Sequence, residues 1–171
     1  MKKQIAIVGT NGIPAKYGGF ETLVEYLAEY LSSDFDITVY CSSLHQINKL
    51  NSYKGVNLNY IELKANGYQS IFFDFVSLMR CYKKYDKILI LGCSGSIFQP
   101  FFKSYQHKFI MNLGGLDWQR SKWNYLTRKF LKLSERLGVK FSGQIISDNE
   151  GIKKYIADQY GVDSCVAAYG G

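Results

Sequence analysis

At 171 residues the chain suffices for one domain with a core of its own, and its balance of 47% apolar to 20% charged residues excludes a disordered chain. The formal net charge of +7 points to an anionic partner: nucleic acid, an acidic membrane surface or a phosphorylated substrate. No run of ~18 apolar residues could span a bilayer. The start Met1-Lys2-Lys3-Gln4-Ile5 lacks a signal peptide's apolar stretch, so the expectation is a cytoplasmic protein, at most peripheral on the inner face of the membrane. Cys41, Cys81, Cys93 and Cys165 form no CxxC pair and read as reduced, buried thiols.

Short apolar runs alternate with helical patterns, the signature of a mostly parallel sheet with crossover helices. In chain order the strands are expected at Gln4–Gly9, Asp36–Cys41, Val56–Leu63, Lys87–Cys93, Lys108–Leu113, Gln144–Ser147 and Cys165–Tyr169. Ile5-Ala6-Ile7-Val8 and Ile88-Leu89-Ile90-Leu91 are unbroken apolar runs, as strands covered on both faces require. Phe20, Leu23, Val24, Leu27, Ala28 and Leu31 give the first helix one apolar stripe, with Glu21, Glu25 and Glu29 on a solvated face. Ile71, Phe72, Phe75, Val76 and Met79 suggest a second helix. Further helices are expected from about Ser121 to Leu137 and from Glu150 to Tyr160. The fold class is therefore α/β: a Rossmann-like, doubly wound sheet flanked by helices, in one domain over residues 1–171.

The loop leaving the first strand is the most informative stretch. It runs Gly9-Thr10-Asn11-Gly12-Ile13-Pro14-Ala15-Lys16-Tyr17-Gly18-Gly19 into the first helix. In a doubly wound sheet this loop faces the ligand crevice. Glycines allow close backbone approach there, and the amides of a helix start suit phosphate oxygens. The spacing is neither GxGxxG nor that of a P-loop. Contact with a phosphate or sugar, and glycines that only satisfy turn geometry, are both open on this pattern.

Ile7 through Thr22 resembles the opening of the rhamnosyltransferase-type members of glycosyltransferase family 4, which have two Rossmann-like halves in a GT-B fold. Two further stretches agree. Asn112-Leu113-Gly114-Gly115-Leu116-Asp117-Trp118-Gln119-Arg120-Ser121-Lys122-Trp123 is similar to the family's Asn-x-Asp-Gly-Leu-Glu-Trp-x-Arg-x-Lys-Trp, with Gly114 standing where the family has Asp. Ser147-Asp148-Asn149-Glu150-Gly151-Ile152 resembles the family's strand-to-helix turn near its domain boundary.

The resemblance implies that this chain is the N-terminal, acceptor-side half, with the nucleotide-sugar-binding half absent; Tyr169-Gly170 matches the point where the family's chain crosses into its second domain. It implies donor-diphosphate contacts at Gly18, Gly19, Lys16 and Tyr17, and an acceptor cleft bordered by Asn11, Asn112, Trp118, Arg120, Lys122 and Asp148. Asp117, the carboxylate nearest the missing Asp, is the implied catalytic group. The implied reaction transfers rhamnose or another hexose from a nucleotide-diphosphate sugar, dTDP-rhamnose being one such donor. The acceptor is a polyprenyl-diphosphate-linked saccharide in surface polysaccharide biosynthesis. No cofactor is implied, and the isolated fragment is expected to be inactive.

From Arg120 to Lys140 the chain carries seven cations against Glu135 alone, interleaved with Trp118, Trp123, Tyr125 and Phe130. This composition suits anionic headgroups, and the implied lipid-linked acceptor favours a membrane over nucleic acid. The alternative to an enzyme half is a non-catalytic module docking on such a membrane or on an acidic partner. His45 and His107 make no metal-ligand pattern. Ser94 and Ser96 lack the GxSxG spacing and read as a turn opening a helix with Ser as N-cap.

Overall fold

The computed structural model describes residues 2–16, 18–46 and 48–168. Eight strands form one open sheet: β1 (Lys3–Val8), β2 (Phe35–Ser42), β3 (Ser52–Tyr53), β4 (Val56–Ile61), β5 (Lys87–Leu91), β6 (Phe109–Leu113), β7 (Gln144–Ser147) and β8 (Cys165–Val166). Their spatial order is β3-β4-β2-β1-β5-β6-β7-β8, and every pairing except β3 with β4 is parallel. The helices are α1 (Gly19–Leu31), α2 (Gln69–Cys81), α3 (Tyr125–Lys140) and α4 (Glu150–Tyr160), with 3-10 segments at Ser94–Lys108 and Asp117–Gln119. The expected α/β class and doubly wound, mostly parallel sheet are what the chain adopts.

Alternation along the central strands fills both faces. Ile7, Ile37, Val39 and Leu91 pack with Val24 and Ala28 of α1, whereas Ala6, Val8, Tyr40, Ile88 and Ile90 pack with Phe73, Leu78 and Cys81 of α2. A third cluster joins Met111, Leu113 and Ile145 to Leu131 and Val139 of α3 and Ile152 and Ile156 of α4.

Several expectations need correcting. Strand β3, two residues long, carries no period and leaves no signal in the sequence. The long 3-10 segment was also unforeseen, since Pro100 and scattered aromatics hide its repeat. Ser94 is not an N-cap; Cys93 holds that position without a side-chain cap, and the Ser94 hydroxyl donates to Asp74 Oδ2 at 2.7 Å. Helix α3 starts at Asn124, whose side chain accepts from the Thr127 amide, and not near Ser121. Helix α2 buries Phe73, Asp74, Ser77, Leu78 and Cys81; Phe75 and Val76 are half-buried against the same core, whereas Phe72 and Met79 are exposed. Cys165 is exposed, whereas the other three cysteines are buried; all four are free. Strand β8 ends at Val166, and Tyr169 lies outside the described residues.

Candidate functional site

The chain winds outward from β1 through β2 to β4, then returns to lay β5 against the other side of β1. The loops after β1 and β5 therefore diverge, and a crevice opens where they part. It has a volume of about 830 Å³, and its lining includes Asn11, Gly18, Gly19, Ser94, Asp117 and Arg120. Gly9 permits the close approach of the two strands: its φ is 88°, and a Cβ there would run into the backbone of Leu91.

The glycine loop is fastened from below. Glu21, 6% exposed, was expected on a solvated face; instead its Oε1 accepts from the Thr10 hydroxyl at 3.1 Å, the Asn11 amide at 2.9 Å and Asn11 Nδ2 at 3.0 Å. Glu25 likewise accepts from the Ala15 amide at 2.8 Å. Ile13 is fully buried against the α1 side of the sheet, and Ser42 donates its amide to the Asn11 carbonyl. Of the three glutamates only Glu29 is exposed, pairing with Lys54.

Gly18 caps α1 with φ 127° and ψ 145° and supplies no side-chain cap. Its carbonyl accepts the Thr22 amide at 3.2 Å. With no side chain at Gly18 or Gly19, the first turn of α1 stands at the crevice wall with the positive end of its dipole toward the opening.

The opposite wall comes from the segment after β6. Asp117 Oδ1 pairs with Arg120 Nε at 3.0 Å, and the Cys93 thiol lies 4.0 Å from Oδ2. Burial raises the Asp117 pKa above the usual carboxylate value, against the opposing pull of Arg120 and Lys122. Gly115 beside it faces open space, so no side chain closes this side. Asp148, at the end of β7, completes the lining.

Thus Gly18, Gly19, Asn11, Asp117, Arg120 and Asp148, far apart in sequence, share one crevice. The other expected site residues that the structure describes are not in its lining. Lys16 is exposed and donates to the His45 carbonyl at 2.8 Å. Asn112 is buried within β6. Trp118 packs against the α3–α4 core, and Lys122 stands 4.6 Å over the Trp123 ring. Tyr17 lies outside the described residues. Ser94, which lines the crevice, is paired with the buried Asp74 of α2, a link that nothing in the sequence reveals between positions twenty residues apart.

The basic stretch is divided in the same way. Lys132 is not a surface cation: it pairs with the fully buried Glu135 at 3.1 Å, contacts the Tyr155 hydroxyl, and lies 4.6, 4.7 and 5.1 Å from the rings of Trp118, Tyr155 and Tyr160. Lys129, Arg136 and Lys140 are exposed along α3 beside Tyr125, Leu126 and Leu133. Among the described residues no group of His, Cys, Asp and Glu side chains is placed to hold a metal ion, and no helix is long and apolar enough to cross a membrane.

Comparison with curated proteins finds no match. Over residues 2–171, however, the chain belongs to the family described as "Domain of unknown function (DUF1972)", a domain associated with the N-terminal regions of glycosyltransferases.

Proposed function

We propose that the chain is the acceptor-side half of a glycosyltransferase of the rhamnosyltransferase type. It would serve transfer of rhamnose or another hexose from a nucleotide-diphosphate sugar to a lipid-linked saccharide in surface polysaccharide assembly. The observation that carries this is the open crevice at the strand crossover, with the bare α1 start on one wall and Asp117 and Arg120 on the other. A helix start without a side-chain cap suits the oxygens of a diphosphate, and stabilising that departing group is the largest electrostatic demand of glycosyl transfer. Asp117, partly desolvated and held by Arg120, suits a group that positions the acceptor hydroxyl and takes up its proton. The nucleotide sugar is substrate, and no cofactor enters the scheme.

Titrating the ¹⁵N-labelled chain with inorganic pyrophosphate tests the diphosphate contact. The amides of Gly18 and Gly19 should shift with saturable dependence, together with the Arg120 side chain. Shifts confined to surface lysines would refute the proposal. Transfer itself is assayed on the protein carrying a second, nucleotide-binding half, with dTDP-rhamnose as first donor. The chain alone should turn nothing over.

A further inference from the structure

Part of the apolar pattern by which the sequence marks α2 lies on the surface. Along α2, Phe72 is 61% and Met79 48% exposed, and the neighbouring 3-10 segment adds Phe101 at 77%. Behind these knobs, Phe75, Tyr82, Phe98 and Phe102 line a shallow apolar groove of about 490 Å³ with Met79 and Phe101. The rings of Phe75 and Phe98, 4.6 Å apart, join the two elements. Helix α2 thus has two apolar faces, and only one of them meets the sheet. A contiguous exposed patch of this kind marks an interaction surface.

Its rim is cationic. Arg80 of α2, Lys83 and Lys84 just after it and Lys103, two residues beyond Phe101, are all exposed, and Lys83 stands 5.5 Å over the ring of Tyr82 in the groove. The one acidic residue within these two elements, Asp74, is buried, so nothing acidic interrupts the rim from within them. A second copy of the same face would bring these cations against themselves. A nucleic acid would find its phosphates matched only at the edge, around an apolar centre.

We infer that the face formed by α2 and the 3-10 segment docks on an anionic phospholipid bilayer, with Phe72, Met79 and Phe101 entering the acyl boundary and the rim cations at the headgroups. Aromatic and Met side chains centred among snorkelling lysines are the chemistry of an interfacial surface. The placement also serves the site. Helix α2 begins at the crevice, where Ser70 lines it, so an amphiphile in the bilayer could present its headgroup there without leaving the membrane. The inference rests on the glycosyltransferase reading only for this last link, and it moves the membrane face from α3, where composition had put it, to α2.

Co-sedimentation with phosphatidylcholine vesicles, with and without phosphatidylglycerol, tests it. Wild type should partition onto the anionic vesicles. Phe72→Ser with Phe101→Ser, both surface changes, should lower partitioning at least about tenfold, and Lys83→Glu or Lys103→Glu about fivefold each. Leu126→Ser with Leu133→Ser removes comparable apolar area from α3 and should leave binding as in wild type. Three results overturn the inference: no binding of wild type to either vesicle, a loss confined to the α3 variant, or undiminished binding of the Phe72/Phe101 variant. A Phe72/Phe101 variant that changes only the sedimentation velocity would assign the face to self-association, and binding only to an acidic protein would assign it to such a partner. The pyrophosphate titration at Gly18 and Gly19 is independent of all these outcomes, so failure here and failure of the proposed function are distinguishable.

Discussion

Replacing Gly18 by alanine sets a methyl group against Glu21. The built Cβ lies 3.0 Å from the Glu21 carboxyl carbon and closer still to Oε2, and the backbone there has φ 127°. That backbone region is occupied almost only by glycine, and holding another residue in it costs about 1–3 kcal/mol. The carboxylate cannot simply swing aside, because its Oε1 receives three hydrogen bonds from Thr10 and Asn11. Disturbing such a charged acceptor adds about 1–3 kcal/mol. The sum, about 2–6 kcal/mol, is a large fraction of an ordinary domain's stability. Urea denaturation of Gly18→Ala, Glu21→Ala and the double variant separates the two terms. With the carboxylate gone the steric part vanishes, so the double variant should be less destabilised than the sum of the singles by about 1–3 kcal/mol. Strictly additive losses, or a Gly18→Ala cost below about 0.5 kcal/mol, would refute the picture of a glycine required by the buried glutamate.

Three further outcomes follow from polar side chains held by specific partners. Burial raises the Asp74 pKa from 3.8 to about 7, opposed by the hydrogen bonds from Ser94 and Gly95. The folded state therefore binds more protons than the unfolded state across that window, and stability falls as pH rises from about 4 to 7, by on the order of 4 kcal/mol. Asp74→Asn should flatten this dependence and be the more stable protein at pH 8, as urea melts at several pH values would reveal. Lys132→Glu should cost about 3–5 kcal/mol because it faces the buried Glu135, whereas Lys129→Glu on the exposed face should stay within about 0.5 kcal/mol; thermal melts that rank them equally would contradict the caged position of Lys132. Asn149→Ala removes the acceptor for the Ile152 amide at the start of α4 and should cost about 1 kcal/mol in the same melts.

What the sequence determined by itself is the framework. Unbroken apolar runs such as Ile5–Val8 and Ile88–Leu91 admit only strands covered on both faces, and the helical stripe from Phe20 to Leu31 supplies one of the covers. That alternation dictates a parallel, doubly wound sheet and places the glycine loop at its ligand edge. The crevice itself was legible only in part, because Gly18 and Asp117 meet through the strand order β1-β5-β6, which no local period encodes. The fate of single side chains was decided by tertiary packing alone. Glu21 and Lys132 look like solvated charges until the loop over one buries it and the aromatic rings and Glu135 hold the other half-buried. On α2 both faces are rich enough in apolar residues to satisfy a helical stripe, so periodicity could not choose between them. Contact with Ala6, Val8 and Ile88 of the sheet chose Phe73 and Leu78, and left Phe72 and Met79 outside.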